Sequence, residues 1–189
     1  MQTATMSSNR KPVHPHKFTL WIAIASMVMM FAGLTSAYIV KRSQANWFSF
    51  ELPLAFWVST VAILASSATL YFAGQRFRAR EMQQYRNMVV MTLILGGLFV
   101  LFQVIGFQQL WANGLTLQKN VSISFLYVIV GLHAVHVVGG VVALFVLFAK
   151  AFSKKTRSYD VTPVEVMSTY WHFVDFLWIY LLVFLLFIK

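Results

Sequence analysis

The chain has 189 residues, 59% of them hydrophobic and only 11% charged, with a formal net charge of +10 and no cysteine. A soluble domain of this length lacks the interior to hide so much apolar surface, so lipid is the implied solvent. The lack of cysteine excludes disulfides, thiolate metal sites, iron–sulfur clusters and covalent c-type haem. Basic residues scattered between apolar runs, rather than gathered into a stripe, argue against a nucleic-acid partner.

Residues 1–17, MQTATMSSNRKPVHPHK, are polar and basic and read as a cytoplasmic tail, with His14 and His16 solvated rather than metal-bound. The apolar run that follows has full spanning length, so no cleavable signal is expected. A bilayer core of about 30 Å needs roughly 20 apolar residues in a helix. Five segments qualify: Phe18 to Val40, Pro53 to Gly74, Met88 to Trp111, Ser122 to Ala149, and Glu165 to Ile188. Unpaired backbone groups are not tolerated in lipid and no membrane-barrel alternation is present, so the fold class is an all-α membrane protein. Residues 18–189 are expected to form one five-transmembrane-helix bundle with antiparallel neighbours.

Eleven of the fifteen Lys and Arg residues fall in the tail, the loop after span two and the loop after span four. The positive-inside rule then puts the amino end in the cytoplasm and the carboxyl end outside. Pairs of small residues four apart, Gly33 with Ala37, Ala62 with Ser66, and Gly139 with Ala143, would let helices approach closely. No internal repeat and no span broken at mid-depth points to a transporter.

Ionisable residues inside lipid are functional candidates by default. Span four carries His133 and His136 in VGLHAVHVVGG; span five carries His172 and Asp175 in YWHFVDFLWIYL. Residues three apart share a helix face, and a rise of about 1.5 Å per residue brings His133 level with Asp175 and His136 level with His172. If those faces meet, the four form a buried polar seam in which an Asp–His contact relieves the cost of burial. Hydrogen-bonded pinning of helices, lipid-headgroup or proton handling, and cofactor ligation all remain open on this spacing. The last needs His172 to pair with one of the other two across a haem, making the chain a small haem-binding membrane cytochrome. Trp171 and Trp178 lie deep enough to line a protein or lipid groove. Lys150, Glu165 and Arg86 sit at the inner rim, where the basic pair could hold phosphate headgroups.

These last two spans resemble subunit III of the haem-copper respiratory oxidases. The family pattern is a Gly-x-His-x-x-His-Val helix, here Gly131, His133, His136 and Val137. A Glu five residues before an aromatic-Trp-His-Phe-x-Asp-x-x-Trp helix follows, here Glu165, Trp171, His172, Phe173, Asp175 and Trp178. Lys150 stands where the family often has a lipid-binding base, and FELP at 50–53 and FVLFQ at 99–103 are also similar to it. Five spans match the short bacterial form.

The resemblance implies an accessory subunit of a proton-pumping terminal oxidase, expected to be a cytochrome c oxidase, in the bacterial cytoplasmic (inner) membrane. Such a subunit has no catalytic residue, metal or cofactor of its own; haems and copper belong to partner subunits. It packs against subunit I, with subunit II in the same complex, holds phospholipid, and supports proton uptake and durability during turnover. A respiratory supercomplex is a further possible assembly, and quinol the alternative electron donor. Two positions depart from the family: Met27 replaces a glutamate in the first span, and Gly106 replaces one three residues after Gln103. Proton chemistry tied to those carboxylates is therefore not expected.

Overall fold

The computed structural model describes residues 15–42, 53–115, 121–152 and 161–188, with only the backbone for 150–152. All five expected spans are helices: α1 (Pro15–Arg42), α2 (Leu54–Arg78), α3 (Met82–Ala112), α4 (Val121–Phe152) and α5 (Thr162–Phe187). Each is long and apolar enough to cross a membrane. The helices overrun the apolar runs at most ends. The first begins three residues inside the stretch read as tail, and α3 gains its polar first turns from Met82 onward. Polar residues at a span end can continue the helix through the headgroup layer, so apolar length underestimates helix length.

Prolines stand at the start of three helices, Pro15 being the first described residue of α1. Pro53 stands just before α2, and Pro163 occupies the first turn of α5, where its missing N–H has no helical acceptor to lose. The α2–α3 connection is very short. Glu81 N–H donates to Arg76 O at 3.0 Å and Arg80 N–H to Phe77 O at 3.1 Å, a Schellman closure with Arg80 in the left-handed region at φ 61°. The same closure ends α3, where Gly114 takes φ 72° without a Cβ penalty.

Six helix pairs pack: α2 on α3, α3 on α4, α4 on α5, α2 on α5, and α1 on both α4 and α5. Half of the α5 span is buried, against 22–33% of the others, which makes α5 the helix the bundle is built around. Trp171, Val174, Trp178 and Leu181 of α5 meet Phe31, Phe56, Ile63, Leu70, Phe99, Val130, Val137 and Leu144 in one apolar core. Outward-facing Val61, Leu64, Met91, Ile94, Leu101, Val142 and Phe145 form a broad exposed apolar surface, which suits acyl chains or partner helices and not water.

Of the small-residue pairs expected, Ala62 with Ser66 does meet a neighbour: Ser66 is wholly buried, with its hydroxyl 3.4 Å from Thr92 O of α3. The glycines of the other two do not, and the tightest approach is made by a ring. A Cβ added at Gly33 or Gly139 would meet nothing within 4 Å. Gly96 of α3 and Gly140 of α4 are the tight positions, because the Trp171 indole fills the space in front of both: an added Cβ would stand 2.9 Å and 3.0 Å from it. The indole is wholly buried.

Candidate functional site

The hydroxyl-bearing face of α2 decides where the polar side chains of α5 go. Ser59 and Ser66, like Thr60 and Ser67, are seven residues apart and so recur on nearly the same side of the helix. Trp171 Nε1 donates to Ser66 Oγ at 3.0 Å, and Trp178 Nε1 donates to Thr60 Oγ1 at 2.9 Å. Between them His172 Nδ1 bonds the Ser67 hydroxyl. On the α3 side Gln103 Nε2 donates to Ser59 Oγ at 3.1 Å, and Thr69 and Thr92 share a hydroxyl bond of 2.8 Å. Sequence reasoning took Ser66 only as a small residue paired with Ala62 and passed over the other four α2 hydroxyls. The seven-residue spacing was the signal available.

The histidines of α4 lie elsewhere. His133 is completely buried and stacks on Trp178 with ring centroids 5.2 Å apart, with Phe99 and Phe31 edge-on at 6.1 and 6.4 Å. Neither of its ring nitrogens has a hydrogen-bond partner among the described residues. His136 packs edge-on against Phe31 of α1, and its Nδ1 donates to the Leu132 carbonyl at 2.8 Å. A carbonyl only accepts, so Nδ1 carries the proton in this arrangement. Tyr170 pins the same turn from α5, donating its hydroxyl to His136 O at 2.9 Å.

The single seam expected from depth is therefore two separate groups. The contacts of Trp178 with His133 and of Trp171 with Gly140 fix one α4–α5 register, since both pairs are seven residues apart along their helices. In that register His136, not His133, is level with Asp175, one turn from the expected match. The two do not bond either: His136 faces α1, while Asp175 stands beside Ser67 of α2. Asp175 is 3% exposed, and neither oxygen has a hydrogen bond of normal geometry among the described residues. Equal depth places residues at one level but leaves their direction around the helix free. Among the described residues no three His, Cys, Asp or Glu side chains gather as a metal-ligand set. His172 and His133 face different helices.

At the basic rim, Glu165 gathers cations from two helices. Lys17 Nζ of α1 lies 2.7 Å from one oxygen and Arg78 Nη2 of α2 lies 2.9 Å from the other. Arg86 is half-buried near the start of α3, and the Lys150 side chain falls outside the described residues. Two openings flank α1. One, about 580 Å³, lies between α1, α2 and α5 and reaches from Lys17, Arg78 and Glu165 down to His172. The other, about 650 Å³, is an apolar groove between α1, α4 and α5 walled by Leu20, Ala23, Ala143, Leu147, Val166 and Met167.

The two departures from the family pattern have a packing counterpart. Met27 is buried on α1 at 6% exposure. At Gly106 an added Cβ would lie 3.2 Å from Phe56 Cζ, so the Phe56 ring occupies the space a longer side chain would need.

Comparison with known proteins decides the family. Residues 13–189 match the family model described as "Cytochrome c oxidase subunit III". This chain belongs to that family. A relative from Mycobacterium leprae, named probable cytochrome c oxidase subunit 3, is 35% identical over 170 residues, covering 88% of this chain and 84% of the relative. The cytochrome c oxidase subunit 3 of Corynebacterium diphtheriae is 29% identical over 176 residues, covering 89% and 85%. A probable quinol oxidase subunit 3 from Staphylococcus haemolyticus is 25% identical over 185 residues, covering 95% and 92%. The chain is thus a multi-pass membrane subunit III of a haem-copper oxidase, of the cytochrome c or quinol type, and has the other oxidase subunits as its partners.

Proposed function

We propose that this subunit III serves a proton-pumping cytochrome c oxidase of the bacterial inner membrane as a non-redox accessory chain. It braces subunit I, holds phospholipid and prolongs proton uptake during turnover. Its amino end lies in the cytoplasm, in keeping with the eleven-to-four bias of basic residues. The family match over residues 13–189 carries the reading. The relatives from Mycobacterium leprae and Corynebacterium diphtheriae, both named for cytochrome c oxidase, are 35% and 29% identical against 25% for the quinol relative, which supports cytochrome c as donor.

Lipid holding draws support from the apolar groove between α1, α4 and α5, whose volume of about 650 Å³ is ample for acyl chain and opens among Leu20, Ala143 and Met167. The bonding of His172, Trp171 and Trp178 to α2 supports a structural rather than a redox role for the polar residues of α5.

The test is the oxidase purified with and without this chain. The complex lacking it should start turnover at a near-normal rate, lose activity sooner, and carry less co-purifying phospholipid by mass spectrometry. Equal catalytic lifetime and equal lipid content in the two preparations would refute the accessory role.

A further inference from the structure

Three acidic side chains are described, and two of them sit in ion pairs at the rim: Glu81 with Arg76, and Glu165 with Lys17 and Arg78. Asp175 is the third, buried in the bundle with both oxygens unpaired among the described residues. An unpaired charge at such depth is costly, so a carboxyl group there needs a polar partner or a path to water. The structure supplies a way in. The opening of about 580 Å³ runs from the charged rim to His172, past the polar groups of Tyr71, Gln75, Ser168 and Thr169, and its volume is sufficient for several waters. His172 Nδ1 is bonded to the Ser67 hydroxyl, and Ser67 stands beside Asp175.

We propose that this water-accessible opening, with His172 and Ser67, is a proton-access route by which Asp175 exchanges its proton with the aqueous phase at the basic rim. In the inward step, water in the opening gives a proton to the free ring nitrogen of His172. Nδ1 passes its own proton to Ser67 Oγ, and the Ser67 hydroxyl proton bonds to an Asp175 oxygen after a rotation of the carboxyl. One proton leaves water, one O–H forms on Asp175, and no electrons move. The outward step reverses each transfer.

The route ends at Asp175. Beyond it α5 buries Trp178, Leu181 and Leu182, which offer no further relay apart from the indole N–H held by Thr60. Titratable groups around the route include Tyr71 of α2 in the opening, Lys17, Arg78 and Glu165 at the rim, and His133 and His136 of α4, turned towards Trp178 and Phe31. Around Ser67, α2 presents hydroxyls and α3 presents Thr92, bonded to Thr69, while Gln103 lies level with Ser59, eight residues farther along α2. This inference concerns the chain's own residues and does not depend on the accessory-subunit reading.

The test is infrared spectroscopy of the intact purified oxidase transferred to heavy water. A carboxylic-acid C=O band present in the wild type and absent from Asp175→Asn identifies the group. That band should shift rapidly in heavy water in the wild type. Exchange should be slower by on the order of tenfold in Ser67→Ala, which removes the last link, and in Gly74→Leu, which fills the opening. A Cβ at Gly74 meets nothing within 4 Å, so Gly74→Leu leaves every relay residue in place and keeps the test valid if the Ser67 variant fails to assemble. Wild-type exchange rates in Gly74→Leu, or no Asp175 acid band in the wild type, would overturn the proposal.

Discussion

Trp171 is the side chain on which α5 holds the other helices, and its removal or compression has a magnitude the structure fixes. A methyl at Gly96 would sit 2.9 Å from Trp171 Cη2 and 3.0 Å from Cζ2, where carbon atoms prefer about 3.5–4.0 Å. The indole cannot retreat, because Gly140 of α4 lies against its other ring atoms and Ser66 holds its N–H. Gly96→Ala should therefore cost about 2–3 kcal/mol, the upper part of the range for overpacking. In a Trp171→Phe background the ring atoms that meet the new methyl are gone, so the same substitution should cost under about 1 kcal/mol. The coupling between the two changes is then about 1–2 kcal/mol. Titration of the purified chain from mild detergent into SDS, followed by tryptophan fluorescence, measures each corner of the cycle. Strict additivity, with Gly96→Ala costing as much without the indole as with it, would refute the argument.

Four further outcomes follow from other contacts. Thr60→Val leaves Trp178 Nε1 without its 2.9 Å acceptor and should cost about 1 kcal/mol in the same titration, while Thr60→Ser should be near neutral. Glu165→Gln removes both rim ion pairs, which are partly exposed; its effect should stay under about 1 kcal/mol and disappear in high salt. Restoring the family carboxylate with Gly106→Glu should impair assembly with the other subunits, because Phe56 occupies the space, and pairing it with Phe56→Ala should recover subunit retention on purification. Arg80→Gly should raise stability by about 1 kcal/mol, since a left-handed backbone strains any residue with a Cβ.

The sequence was most informative where one physical rule dominates. Backbone groups in lipid must pair, so Phe18 to Val40 and the four later apolar runs read directly as helices, and only their polar ends were misjudged. Depth was legible to within a turn: His136 proved level with Asp175 where His133 was expected. Direction around the helix was not legible. His133 and Asp175 both lie in the interior, yet one is wrapped by Phe31, Phe99 and Trp178 and the other faces Ser67. Which face of α4 meets which face of α5 depends on α1 and α2 packing on either side, and no single-helix pattern records that. The same limit hid the closest contacts. Gly33 and Gly139 have the spacing of an interface and open space around them, while Gly96 and Gly140 are tight only because Trp171 reaches them from another helix.

The central proposal is that this subunit III holds no redox centre of its own and borrows its redox chemistry from partners. Affinity purification through a tag on this chain, with a reduced-minus-oxidised spectrum before and after its partners are stripped away, tests that claim most directly. Haem absorbance and oxygen consumption should accompany the intact complex and vanish from the stripped chain. A stoichiometric b-type haem spectrum retained by the stripped chain would contradict it and make His133, His136 or His172 ligands.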